Sequence, residues 1–468
     1  MSEFITIQVG QCGNQIGGAL WPRILNEYGV SLTANNTKTS NSSSLEQSFS
    51  SFFHVPNSKQ EHSFRTLQDL ASCKVKARAI CIDMEDSVVA RYRTGTLKGL
   101  FDEKCLVTNY PGSGNNWAEG FCEHGPQYQE KILNCLRHSV ERCDSLHGFL
   151  MLFSTGGGTG SGLGTYVLNC LSDFYPKTER FVSCAYSTGT EDVITSPYNN
   201  ALATHQLLEN ATCVFPVENR CLLEIALRKS RNNCMPTHER AKEFNTTDSM
   251  NSSVVEMLLH LTSGSRFPGA LNFDMNEINT NMVPFPKMSF LSSSFNHLVT
   301  ANSKISSKRL KEELFFACCN RSNQLVQVDP LGPKSVLLAS TLIGRGEYST
   351  ADLQGYIGKL QAKGRFTSWS KKAVKMGLCN VPPNGQNVAL FSLFNTTGMF
   401  GLFQHIAKQF SSLFRKQAHI HHYTNVSSFE MDFFDECLES LRDVMHKYKS
   451  LENVGPQTIP RLEPRSCD

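Results

Sequence analysis

The residues best suited to chemistry in this 468-residue chain form the run Ser154-Thr155-Gly156-Gly157-Gly158-Thr159-Gly160-Ser161-Gly162-Leu163-Gly164-Thr165. Glycines let the backbone approach a ligand closely and adopt positive φ. The apolar run at 148–153 before it reads as a buried strand, and 166–171 after it as a helix with an apolar face. A helix starting there points its free N–H groups, and the positive end of its dipole, into the turn, so phosphate is the natural guest. The same residues also suit a tight turn with no ligand. Two known motifs are excluded: no Lys follows the glycines as in a Walker A loop, and their spacing fails G-x-G-x-x-G.

Two further glycine-rich stretches follow the same logic. Residues 4–9 alternate and are rich in strand formers, and Gly10-Gln11-Cys12-Gly13-Asn14-Gln15-Ile16-Gly17 follows as a turn and helix start. That is a second strand-to-helix junction, as a doubly wound α/β sheet supplies. Pro111-Gly112-Ser113-Gly114-Asn115-Asn116-Trp117-Ala118 is the third, and small residues with an Asn pair can form a concave nest of N–H groups. Residues 75–82 read as a strand ending in Asp83-Met84-Glu85-Asp86. Residues two apart on a strand share a face, so Asp83 and Glu85 can present two carboxylates together. Asp274-x-x-Glu277 has capping-box spacing, and spacing alone favours a helix cap over catalysis. His419, His421 and His422 lack a His-x-x-x-His spacing or a cysteine partner and read as structural.

The elements that must position these groups are those of an α/β protein. Further strands are expected at 180–186, 324–328, 335–341 and 388–395, with a helix at 350–363. After the capping-box pattern Ser427-x-x-Glu430, apolar residues recur at helical spacing over about six turns, giving an amphipathic helix docked on the body. Residues 31–72 are rich in Ser, Asn, Thr and Gln, too polar for core, and are expected to form a mobile surface loop. A net charge of +3 gives no electrostatic case for nucleic acid or an acidic membrane. Seventeen cysteines without a C-x-x-C pair point to reduced thiols in a cytosolic protein rather than a disulfide framework or zinc site. No apolar run is long enough for a membrane span, and the N-terminal residues show no signal-peptide pattern.

The run Gly-Gly-Gly-Thr-Gly-Ser-Gly at 156–162, the opening Gly-Gln-Cys-Gly-Asn-Gln-Ile-Gly at 10–17 and Gly-x-Gly-Asn-Asn-Trp-Ala at 112–118 resemble the tubulin superfamily, in family order. The resemblance covers nearly the whole chain except 31–72 and about the last fifteen residues. It implies a doubly wound parallel-sheet GTP-binding domain at 1–230, a mixed α/β second domain at 231–403 and a helical region at 404–468. It implies GTP or GDP bound by Gly10, Gln11, Cys12, Gln15, Gly114, Asn115, Ser154, Gly156, Gly157, Gly158, Thr159 and Gly160. By the same resemblance Asp192 faces the ribose, Asn219 and Asn251 read the guanine edge, and Glu85 is associated with Mg2+. Glu277 matches the α-tubulin Glu that reaches the nucleotide of the next subunit, which implies GTP hydrolysis completed across a longitudinal contact.

Two positions depart from the family pattern. Ser196 replaces the Glu that precedes Pro-Tyr-Asn in α- and β-tubulin. Thr247 stands where the family stacks an aromatic on the base, so either Phe244 substitutes or stacking is lost. The chain also ends without a Glu-rich tail. The run Asp192-Val193-Ile194-Thr195-Ser196-Pro197-Tyr198-Asn199, Met275-Asn276-Glu277-Ile278 and the missing tail look most like the ε branch. That resemblance implies a cytoskeletal component in the cytoplasm, at centrosomes, centrioles or basal bodies, supporting triplet microtubules and centriole duplication. Its partners would be other tubulins, by longitudinal and lateral contacts, and centriolar proteins, with no nucleic acid or membrane. The alternatives are a nucleotide-switched adaptor that never polymerises and a δ- or γ-like role.

Overall fold

The computed structural model describes residues 2–32, 48–56, 64–187, 193–232, 246–267, 269, 271–296 and 307–452. Among these, six parallel strands form the first sheet: β1 (Glu3–Val9), β4 (Ala79–Asp83), β5 (Leu106–Thr108), β6 (Leu146–Ser154), β7 (Glu179–Tyr186) and β8 (Cys213–Glu218). Their order is β5-β4-β1-β6-β7-β8. The winding reverses between β1 and β6, and a doubly wound sheet binds its ligand outside the carboxyl ends of the strands at such a reversal.

Both faces of this sheet are covered, so its strands are buried on both sides, including the polar Thr6 and Gln8 of β1. Along β6, Phe149, Met151 and Phe153 enter one core while Leu150 and Leu152 enter the other, the period-two division that a pleated strand imposes. The first core packs against α4 (Gly125–Val140), α5 (Gly164–Phe174) and α6 (Ser196–Asn210). The second packs against α1 (Gly10–Glu27), α7 (Asn219–Asn232) and α8 (Thr246–Leu261). Shorter helices are α2 (Leu67–Ser72), α3 (Asp86–Thr94), α9 (Ser263–Arg266) and α10 (Met275–Met282).

Residues 48–56 and 64–72 differ from the polar loop expected of them. Phe49, Phe52 and Phe53 are buried in the second core; β2 (Phe53–His54) pairs antiparallel with β3 (Lys76–Ala77), and the bonds from Phe4 N to Ser51 O and from Arg78 N to Phe52 O tie the segment to the sheet. Stacking of Phe49 on Phe53 and of Phe52 on Phe4 outweighs the polar average of the surrounding sequence.

The second sheet is mixed, in the order β11 (Lys375–Cys379), β10 (Leu337–Gly346), β12 (Val388–Thr396) and β9 (Ser292–Phe295), with α11 (Ser307–Cys319) and α12 (Thr350–Lys363) on it. Residues 324–328, expected as a strand, form none. Only a bridge between Ser294 and Gln324 survives, because the backbone there serves both sheets: Glu218 N donates to Leu325 O and Leu325 N to Ser293 O.

The C-terminal helices α13 (Phe400–Phe414), α14 (His421–Thr424) and α15 (Asp432–Glu452) close the first core. Phe410 and Phe434 pack on Tyr198 of α6, each at 5.4 Å between ring centroids. The α15 helix begins at Asp432, so Ser427 and Glu430 precede it and make no capping box. Burial of Phe429 in the core fixes that approach as a turn instead.

Candidate nucleotide site

The three glycine-rich stretches converge at the carboxyl ends of β1, β4 and β6. Gly10 takes φ +72° at the turn from β1 into α1, and a Cβ there would lie 3.0 Å from Gly160 N. The first and third junctions therefore touch backbone to backbone, which only glycine on one side permits. A Cβ on Gly158 would lie 2.6 Å from Asn116 N and 2.7 Å from Ser113 O, so the middle loop is pressed equally closely against the 154–165 loop. Gly114 and Asn115 both adopt positive φ, +51° and +56°, a conformation that Gly and Asn tolerate.

The two loops then enter their helices through π-helical turns, Glu119–His124 and Thr159–Leu163. These wide turns pack on each other: a Cβ on Gly120 would lie 2.6 Å from Gly158 O. Such turns recur at functional sites because they aim backbone groups that a regular helix would consume.

Side chains lock the loops together. Asn199 donates from Nδ2 to Asn115 O at 2.8 Å and Gly156 O at 2.9 Å, and its Oδ1 accepts from Trp117 N at 3.0 Å. Ser113 Oγ is shared between Thr159 Oγ1 at 3.1 Å and His124 Nδ1 at 2.9 Å. Asn116 Nδ2 donates to His422 O at 2.8 Å. Asn14, fully buried, donates to Gly10 O and Ile82 O, each at 3.0 Å, joining the ends of β1 and β4. Thr155 Oγ1 donates to Asn200 Oδ1 at 2.8 Å. None of these supporting roles was assigned from sequence, although the polar Asn199-Asn200 pair inside an otherwise buried helix was a usable signal.

The structure brings most of the expected residues to this one edge. Gly10, Gln11, Cys12 and Gln15 lie on the first turns of α1, with Gln11 exposed and Cys12 and Gln15 half-buried. Burial pushes the Cys12 thiol up to about 11, so it stays protonated. Ser154 ends β6 against Gly160, and Gly157 faces Asn115 Oδ1. Asn219 opens α7 and Asn251 lies on α8, both half-buried. The α8 helix packs between α1 and α7. Glu256 of α8 clamps the three, reaching Arg23 of α1 at 3.5 Å and Lys229 of α7 at 3.1 Å. Thr247 is exposed at the start of α8. Asp192 and Phe244 lie outside the described residues. Ser196 is buried, with its hydroxyl on Ser187 Oγ, a position with no room for the longer acid.

The two carboxylates at the end of β4 do not share a face as expected. The strand stops at Asp83, so its alternation does not reach Glu85, which is exposed at the N-cap of α3 with no side-chain cap bond. Asp83 is 3% exposed, and its Oδ2 has no hydrogen-bond partner among the described residues. Burial pushes its carboxyl up to about 7, against the N–H groups of Glu85 and Met84, while the Glu85 charge adds to the rise. Glu85 reaches the middle loop: a Cβ on Gly112 would lie 2.9 Å from Glu85 Oε1. No cluster of three or more His, Cys, Asp or Glu suited to a metal occurs among the described residues. An orphaned buried carboxylate oxygen beside an exposed Glu fits Mg2+ nonetheless, since Mg2+ keeps several waters and takes one or two carboxylates.

Glu277 is not at this edge. It lies exposed on the first turn of α10. Asp274 caps that helix, accepting from Asn276 N at 3.0 Å and Glu277 N at 3.1 Å. The box is half-made: the Glu277 carboxylate returns no bond and has no partner among the described residues.

Comparison with known proteins agrees with this geometry. Residues 3–227 match the Tubulin/FtsZ family, GTPase domain, and 286–408 the Tubulin C-terminal domain. The chain is 38% identical to the tubulin epsilon chain of Homo sapiens, covering 99% of both chains. It is 38% identical to the tubulin epsilon chain of Mus musculus, covering 98% of both. It is 31% identical to the tubulin beta-1 chain of Mus musculus, over 97% of this chain and 95% of that one. With relatives aligned end to end and three glycine loops meeting at the sheet's reversal point, the chain belongs to the tubulin family and carries its GTP-binding fold.

Proposed function

We propose that this chain is an ε-type tubulin that binds GTP and Mg2+ and serves as a structural component of centrioles and basal bodies. The loops around Gly10, Gly114–Asn115 and 154–160 hold the phosphates through backbone N–H groups, which suit an anion at helix starts. Asp192 takes the ribose. Asn219 and Asn251 take the guanine edge, where an amide both donates and accepts. Glu85 would hold the Mg2+, which when bound would neutralise phosphate charge.

Glu277 acts on a neighbouring subunit by positioning the attacking water, since phosphoryl transfer depends mainly on such positioning. The observation that carries this reading is the contact of Gly10 with Gly160 at the reversal point of the sheet. The exposed, unpartnered carboxylate of Glu277 supports its role in trans, and the higher identity to the epsilon chains than to the beta-1 chain supports the ε assignment. Other tubulins, in longitudinal and lateral contact, and centriolar proteins are the partners.

The competing reading is a nucleotide-switched adaptor, favoured by exposed Thr247 in place of a stacking aromatic. The deciding measurement is the nucleotide released by denaturing gently desalted protein, followed by GTP turnover of Glu277→Ala at rising protein concentration. Near-stoichiometric GTP or GDP with concentration-dependent turnover lost in the variant is expected. An empty site, or turnover unchanged in the variant, overturns the reading.

A further inference from the structure

A cleft of 1070 Å³ lies between α13 and α15, with Ser187 and Glu218 in its lining. Its walls are cationic: Lys408 on α13 and Arg415 at its C-cap, Arg442 and Lys449 on α15, and Arg220 and Arg321 beside them. All six are exposed. Apart from Arg220, which pairs with Glu224 at 3.3 Å, none has an ion-pair partner among the described residues. Glu218 is the carboxylate in the lining, and it is spent, accepting from Gln327 N at 2.6 Å.

The cations are arranged in rows rather than around a point. Lys408 of α13 and Arg415, its C-cap, are seven residues apart, as are Arg442 and Lys449 on one face of α15. Seven helical residues span about 10 Å. A single phosphate needs its donors gathered within hydrogen-bond reach, so two rows of this length suit an elongated polyanion. In an extended peptide, alternate side chains share a face at about 7 Å spacing, which lets successive carboxylates meet successive cations. The floor between the rows includes Leu438 and Met445, apolar surface for the intervening side chains. Nucleic acid fits less well: Phe400, the phenyl ring in the lining, is packed against the core and offers no face for base stacking. The chain's own residues 453–468 balance Arg461 and Arg465 against Glu463 and Asp468, so they carry no acidic run to fill it.

We propose that this cleft binds an acidic, extended peptide segment of a partner protein. The test is fluorescence anisotropy of the full-length protein with a labelled peptide of glutamates separated by single glycines. Binding that weakens with salt is expected. The exposed pair Lys408→Glu/Arg442→Glu is expected to lose roughly tenfold or more in affinity with an unchanged melting temperature. Lys371→Glu/Lys372→Glu, the same change of net charge outside the cleft, is expected to bind as the wild type does. Equal loss in both variants would assign the effect to bulk charge. Absence of binding, displacement by equimolar inorganic phosphate, or tighter binding of a single-stranded oligonucleotide would each overturn the proposal.

Discussion

The Tyr423 hydroxyl donates to Asn199 Oδ1 at 2.7 Å, joining residues 224 positions apart in the chain. Through that bond a turn near the C-terminus braces the amide that holds Asn115 O, Gly156 O and Trp117 N. Deleting the hydroxyl in Tyr423→Phe removes that bond and the longer one to Thr195 O at 3.4 Å and is expected to cost about 1 kcal/mol; Asn199→Ala orphans several buried groups and is expected to cost about 3 kcal/mol. Urea unfolding measures both. Nucleotide release is expected to speed up in the same order, and equal effects of the two variants would refute the brace.

Gly158→Ala places a methyl against Asn116 N and Ser113 O, both backbone atoms that cannot rotate away. The loops must part, and overpacking of this kind costs about 1–3 kcal/mol. Retained nucleotide after desalting is expected to fall roughly tenfold. Gly355→Ala is the control: nothing lies within 4 Å of its added Cβ in the middle of α12. That substitution is expected to stabilise by about 0.5–1 kcal/mol.

Glu27 of α1 sits between Arg266 Nη1 at 2.6 Å and Arg345 Nη2 at 3.1 Å, with both guanidinium side chains fully buried. The three link the first sheet's helix layer to the second sheet. Arg266 also donates to Leu259 O at 2.7 Å and Arg345 to Val381 O at 3.2 Å. Glu27→Gln leaves two buried cations without a counter-charge and is expected to lower stability by about 3–5 kcal/mol. Arg345→Met leaves a neutral Glu27–Arg266 pair and is expected to cost less. A reversed order in urea midpoints would contradict this account.

His260 lies beside that cluster, ringed by Phe295 and Phe391. Burial first, then the charges of Arg345 and Arg266, hold its imidazole well below 6.5. The folded chain refuses a proton that the unfolded chain accepts, so stability falls as pH drops below about 6.5, by up to about 1.4 kcal/mol per unit. His260→Phe removes this group from the balance. Between about pH 7.5 and about pH 5.5 its melting temperature is expected to fall less than that of the wild type. An equal fall would mean that His260 titrates alike in both states.

The glycine loops were legible because their spacing reports a backbone constraint, and strands such as 4–9 and 388–395 because they are rich in strand-forming residues. What was not legible depends on partners distant in sequence. Phe49, Phe52 and Phe53 join the core of a polar stretch only because Phe4 and Trp21 receive them. Residues 324–328 carry strand-like residues, but their hydrogen bonds are claimed by two different sheets. Asp83 and Glu85 look equivalent in sequence, and burial separates them. Tyr423 could not be linked to the loops at all, since no local pattern encodes a bond across 224 positions.

That long-range brace sets an order on the molecule's birth. The glycine loops, Asn199 and Asn251 all leave the ribosome well before Tyr423 and the His422 carbonyl that steadies Asn116. A nascent chain therefore carries the three glycine loops before it carries the parts that hold them together. On the proposed reading, a nucleotide would be held firmly only once the last helices have been made and seated.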